Sequence, residues 1–186
     1  LFFERPGNWF GSTYTQTLEP RLFLNKVAYE DQSELPNFDS GELTFSYNSL
    51  FRENRFIGYD RIGDEEKLAV GLTSRFLHDG TGREQLRLRV AQGFYFEDRK
   101  VITDRAVEDP TDDQTPVIGD ARWNFAQDWY LYSEAQWDTE ENKRERSNFQ
   151  IGYNDRERRV LNLGRMRPNR AQAARARARY LCCINK

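Results

Sequence analysis

Residues 66–77, EKLAVGLTSRFL, place Leu68, Val70, Leu72 and Phe76 at even positions and Lys67, Gly71, Thr73 and Arg75 at odd ones. Side chains along a strand alternate between its two faces, so this spacing specifies a strand with one apolar face. The same alternation recurs over 13–27 (Leu18, Leu22, Leu24), 83–97 (Leu86, Leu88, Val90, Phe94, Phe96) and 117–126 (Ala121, Trp123, Phe125). It continues over 128–138 (Trp129, Leu131, Ala135, Trp137) and 145–154 (Phe149, Ile151, Tyr153), and more weakly over 158–164 (Leu161, Leu163). About seven long strands in an antiparallel meander follow from this, an all-β chain.

The connections alternate in length. Those at 78–82, around Gln127 and at 155–157 are short, whereas 98–116 and 139–146 are long and polar. A meander puts alternate connections at opposite ends, so all short turns share one side, as in outer-membrane barrels. Parity then makes 28–65 a single excursion on the long-loop side, although ELTFSY at 42–47 imitates a strand. Closing the hairpin at 78–82 pairs Leu72 with Leu88, Val70 with Val90, Thr73 with Arg87 and Gly71 with Arg89, which brings the apolar faces together.

Two architectures satisfy alternation: a membrane barrel, porin-like or otherwise, and a soluble β-sandwich acting as a binding module. Three features favour the barrel. The strands exceed the ~5–6 residues usual in soluble sheets. Trp129 and Trp137 bracket one apolar face as membrane-interface aromatics, separated by roughly 20 Å of height for a tilted strand. The polar faces carry Arg75, Arg87, Arg89, Gln136 and Gln150 among small residues, which suits a wet lumen. A barrel also reconciles 31% charged residues and a mean hydropathy of −0.89 with 14% aromatics, because only alternate residues meet lipid. No run approaches the ~20 apolar residues of a membrane-spanning helix.

The segments FFERPGNWFGSTYTQTLEPRLF (2–23), DQSELPNFDSGELTFSYNSLFRENRFIGYDRIGD (31–64) and FYFEDRKV (94–101) resemble the LptD family of outer-membrane lipopolysaccharide-assembly proteins. The most specific stretch is LFRENRFIGYDRIGD, which no generic barrel requires. The resemblance covers residues 1–164 and implies part of a large transmembrane outer-membrane β-barrel. It further implies lipopolysaccharide as the substrate, an LptE-like lipoprotein as plug, outer-membrane lipid around the wall, and a periplasmic lipopolysaccharide-transport bridge reached through an N-terminal domain. That domain and the family's lateral gate are expected outside this piece, which begins at Leu1 with neither an initiator Met nor a signal peptide.

Residues 165–186 depart from the pattern: six Arg and one Lys with no acid give +7, against −9 for the rest of a chain whose net charge is −2. A frame-shifted or spliced end is the preferred account, over a basic helix binding anionic lipid or nucleic acid, and no nucleic-acid partner is expected. Cys182 and Cys183 lack the family's neighbours, so its disulfide is not carried over to them.

Catalytic, metal and cofactor sites are not expected. His78 is the only histidine and sits in a tight turn beside Asp79 without a serine elbow. The acidic run Asp104, Glu108, Asp109, Asp112 and Asp113 lacks the spacing of a calcium loop. Pro20 is read as a bulge or interrupted pairing. The excursion is rich in apolar side chains that need a surface: Phe45, Tyr47, Leu50 and Phe51 are expected to pack it in or over the lumen against a plug, with Arg52, Arg55, Asp60 and Arg61 fixing it by charge-assisted hydrogen bonds.

Overall fold

The computed structural model describes residues 2–9, 11–102, 110–139, 143–154 and 160–167. Its strands are β1 (Phe3–Trp9), β2 (Ser12–Val27), β3 (Gly41–Glu42), β4 (Phe56–Ile57), β5 (Glu65–His78), β6 (Glu84–Tyr95), β7 (Val117–Trp123), β8 (Trp129–Asp138), β9 (Lys143–Asn154) and β10 (Val160–Arg167). One helical turn, α1 (Tyr47–Leu50), lies between β3 and β4. Eight strands form one antiparallel sheet in the order β1-β2-β5-β6-β7-β8-β9-β10, open at both ends, and β3 pairs with β4 apart from it.

The seven expected strands are present, and β1 is the eighth. Pro6 and Gly7 break any alternation in β1, and a proline is tolerated there because β1 is an edge of this sheet. Pro20 makes no bulge: β2 pairs with β5 from Tyr14↔His78 to Val27↔Glu65 without a register shift. β1 reaches only as far as Phe3↔Leu18, so a donor missing from Pro20 on that side costs no ladder bond. β10 continues through Arg167, three residues past the expected break, but its bare face changes from Leu161 and Leu163 to Arg165.

The β5–β6 register differs from expectation by two residues. Leu72 faces Val90, Val70 faces Gln92, Thr73 faces Arg89, Gly71 faces Ala91 and Arg75 faces Arg87, after a bulge between Phe76 and Leu77. The turn accounts for the shift: Thr81 and Gly82 both donate to the His78 carbonyl, Gly82 takes φ +63°, and Gln85 becomes the extra residue. A shift of two preserves side-chain parity, so the partition into faces survives it.

That partition is clear. Leu18, Leu22, Leu24, Leu72, Leu88, Val90, Trp123, Trp129, Trp137 and Phe149 are exposed on one face, and register places Leu131 and Ile151 with them. No other described element packs against this bare face. The opposite face buries Thr17, Lys67, Ala69, Thr73, Ala91, Ile118, Asp120 and Gln136. What covers it is the excursion.

Candidate functional site

The covered face is built as a seat of small residues. Tyr47, Leu50 and Phe51 form a core with Ala69, Ala91 and Ile118, joined by Phe23 and Phe45. Glycine is needed at two points: a Cβ on Gly71 would lie 2.6 Å from Phe51 Cζ, and one on Gly93 would lie 2.7 Å from Leu50 Cδ1. The small residues expected to border water are therefore the sockets of α1, and this part of the face is dry. Complete burial of each large side chain contributes about 1.5–3 kcal/mol. α1 itself is a single turn closed by a capping box, in which Ser46 Oγ accepts from the Ser49 amide while Ser49 Oγ accepts from the Ser46 amide.

Polar groups at the rim set the turn's orientation. The hydroxyls of Tyr47 and Thr73 are 3.1 Å apart. Arg89 has Nε 3.0 Å from both Asp120 carboxylate oxygens, donates from Nη1 to Asn48 Oδ1, and lies 4.3 Å over the Tyr47 ring. Gln136 Nε2 donates to the Phe45 carbonyl at 3.1 Å, and Arg21 lies over the Phe51 ring. Arg89 and Gln136 thus hold the excursion.

Further along the excursion, Arg55 donates to the carbonyls of Asp64 and Val101 and to Asp64 Oδ1. Asp60 Oδ2 accepts from the Phe38 and Asp39 amides, and Arg61 donates to the Leu35 carbonyl. Arg52, the fourth charged residue named above, is exposed and makes none of these bonds. Asn54, not anticipated, accepts from the amides of Phe56 and Gly63 and donates to the Arg61 carbonyl.

Asp64 ties this segment to the loop after β6 by accepting from the Lys100 and Val101 amides, both at 2.8 Å. Burial alone would raise its carboxyl, but those amides and Arg55 outweigh burial and hold it below the usual carboxylate range. A depressed folded pKa stabilises above the unfolded value and loses that contribution as pH falls through the folded one. Acidification from pH 7 to below about 4 should therefore lower the protection of the Lys100 and Val101 amides relative to their intrinsic exchange rate at each pH, and Asp64→Asn should flatten the dependence.

Beside the seat lies a buried ion pair that sequence reasoning missed. Lys67 Nζ is 2.8 Å from Glu65 Oε1, and the two side chains are 3% and 0% exposed. Asn25 Nδ2 donates to the same Glu65 oxygen and to the Glu53 carbonyl. The pair adjoins a pocket of about 30 Å³ between Phe45, Leu50, Arg55, Lys67 and Tyr95, room for water.

Arg75, Arg87 and Gln150 also lie on the covered face, nearer the short turns. Arg75 and Arg87 share Glu84 at 3.8 and 3.7 Å, and Arg75 Nε is 3.2 Å from Glu19. Gln150 donates to the Tyr130 hydroxyl, which donates to Asn162 Oδ1; the Tyr130 ring covers Gly152, where no Cβ would fit. Trp129 packs against Tyr153 at 5.0 Å, their rings tilted, near the short turns, while Trp137 lies beside a bulge at the other end. His78 meets Tyr14 edge to face at 5.5 Å. Of the acidic run, Asp104, Glu108 and Asp109 lie outside the described residues, as do 155–159, Cys182 and Cys183. The flanks of that loop are fastened: Tyr95 and Arg99 donate to the carbonyls of Asp113 and Pro110.

A family model described as "LPS transport system D", LptD, matches residues 1–180. Among curated proteins, the chain is similar to an LPS-assembly protein LptD of Alcanivorax borkumensis strain SK2, 95% identical over 153 residues, which are 82% of this chain and 20% of that protein. Proteins of the same name from Ectopseudomonas mendocina and Pseudomonas putida F1 are 44% and 41% identical over 170 residues, 88% of this chain and 18% of each relative. The chain spans about a fifth of the length of the curated relatives it matches.

Proposed function

The chain belongs to the LptD family, and from that premise we propose that it is a section of the wall through which lipopolysaccharide is assembled into the outer leaflet. Its sheet is part of an outer-membrane β-barrel, open here because the remaining strands lie elsewhere in the family's longer chain. Neither a porin-like channel nor a soluble sandwich has support. One observation supports the reading: the sheet keeps an apolar face bare from β2 through β9 while the middle of its opposite face is closed by its own excursion. Water on the bare face would leave a patch far larger than soluble proteins carry. Lipid removes that cost.

The covered face is then lumenal, with Arg75, Arg87, Arg89, Gln136 and Gln150 inside and Trp129 and Trp137 at the two membrane interfaces. The short turns are periplasmic, the 28–65 and 98–116 segments are extracellular or inside the barrel mouth, and the barrel section runs to the end of β10 at Arg167. The work is transport and assembly, and no residue is given a catalytic role.

An LptE-like lipoprotein plug would meet what the excursion leaves exposed. Tyr47, Leu50 and Phe51 are spent on the sheet, but Phe38 and Tyr59 are 87% and 97% exposed. The periplasmic transport bridge would be reached through the parts of the longer chain that lie outside this section. Photoreactive residues at positions 38 and 59 of the full-length parent should give adducts with the lipoprotein, while those at 47 and 51 should give only intramolecular products. Lipoprotein adducts at 47 and 51 alone would mean that the excursion leaves its seat in the assembled complex.

A further inference from the structure

Below the seat, toward the short turns, three arginines lie on one register line of the covered face. Arg75 faces Arg87 across β5 and β6, and Arg87 faces Arg122 across β6 and β7. Like charges directly opposite one another destabilise a sheet, so a row of three is costly unless something compensates it.

The compensation within the chain is partial. Two carboxylates, Glu19 and Glu84, lie within 4 Å of Arg75 or Arg87, at separations of 3.2–3.8 Å that are loose for charge-assisted hydrogen bonds. Arg75 Nε is close to Glu19 but not aligned to donate to it, and both that atom and Arg87 Nε are buried without a hydrogen-bond acceptor. Arg122 rests on the Tyr130 ring at 4.1 Å and reaches Asn124 Oδ1 at 3.4 Å, so it meets neutral groups. Arg89, two residues from Arg87 on the same face, is by contrast fully engaged by Asp120 and Asn48. The row thus keeps unsatisfied donors and surplus positive charge on a surface that α1 does not cover.

We propose that the Arg75–Arg87–Arg122 row is a binding site for a phosphate group, supplied by the headgroup of a phosphorylated glycolipid passing along this face. Planar guanidinium forks bind phosphate oxygens in pairs, and three on adjacent strands present such forks side by side. The identity of the ligand rests on the lipopolysaccharide-assembly reading above; the anion chemistry rests on the row itself.

The test uses the full-length parent with its lipoprotein, carrying a photoreactive residue at Tyr132, the register partner of Arg122. The probes are purified lipopolysaccharide and the same material stripped of phosphate monoesters by phosphatase. Arg87→Gln with Arg122→Gln should reduce the adduct at least fivefold, phosphatase treatment should reduce it equally, and the two together should reduce it no further. Arg87→Lys with Arg122→Lys should recover part of it, and heat-modifiable gel mobility shows that each variant is folded. Adducts that form in the unsubstituted protein but ignore both the arginines and the phosphates overturn the site while leaving the assembly role standing. Competition by millimolar inorganic phosphate with no effect of phosphatase treatment marks a free-ion site and overturns the glycolipid assignment. No adduct at all in the unsubstituted protein overturns both.

Discussion

Truncating Phe51 to alanine in the full-length parent should loosen the 28–65 segment from the sheet at a cost of about 3–5 kcal/mol, the range for removing a buried aromatic ring. The ring is 7% exposed, packs at 5.2 Å from Tyr47 and 6.4 Å from Phe23, lies beneath Arg21, and fills the space over Gly71. Its loss leaves a cavity at the centre of the seat that glycine and alanine neighbours cannot close. The ladder from β2 to β7 does not depend on this ring, so the effect should be local. Amide exchange of Ser49 and Leu50, whose amides close α1, should accelerate by two orders of magnitude or more, with the strand amides of β5 and β6 little changed. Equal acceleration in the strands would show that the seat and the wall unfold together.

Lys67→Met should be comparably severe, at about 3–5 kcal/mol, because it strands a carboxylate in a buried site. Glu65 is fully buried and its second oxygen already lacks a partner, so among the described residues Asn25 would be left as a neutral donor to the first oxygen, with no counter-charge beside it. Adding Glu65→Gln should recover most of the loss, since an amide needs no counter-charge. Chemical denaturation of the single and double variants gives the coupling directly. Single and double losses that simply add would mean that the pair is not coupled as its 2.8 Å separation requires.

Much of this architecture was legible in the sequence because a strand's period is two and parity tolerates error. The hairpin at 78–82 closes two residues away from the register its spacing predicts, yet Leu72, Leu88 and Val90 still fall on the bare face and Thr73 and Arg87 on the covered one. What parity does not encode was lost. β1 is hidden by Pro6 and Gly7, and α1 is too short for a helical period, its Ser46–Ser49 box being the one local sign of it. At Gly71 and Gly93 the sequence does not separate a wet lining from a dry socket, because a small residue beside water and a small residue beneath a packed side chain look alike in one dimension. Lys67–Glu65 depends on Asn25, forty residues from Glu65, and on the roof formed by the excursion. Among the charged residues of the excursion, Arg55, Asp60 and Arg61 act as fasteners and Arg52 does not, a distinction made by the fold of the loop rather than by residue type.

The central claim, that the bare face meets lipid and the covered face the barrel interior, is tested most directly by two adjacent cysteines. Leu88→Cys and Arg87→Cys would be introduced singly into the full-length parent in native outer-membrane vesicles and treated with a water-soluble maleimide before and after denaturation. Position 87, on the face with Arg75 and Glu84, should label in the folded protein. Position 88 should label only once the barrel is unfolded. Labelling at 88 with protection at 87 would reverse the faces and contradict the account.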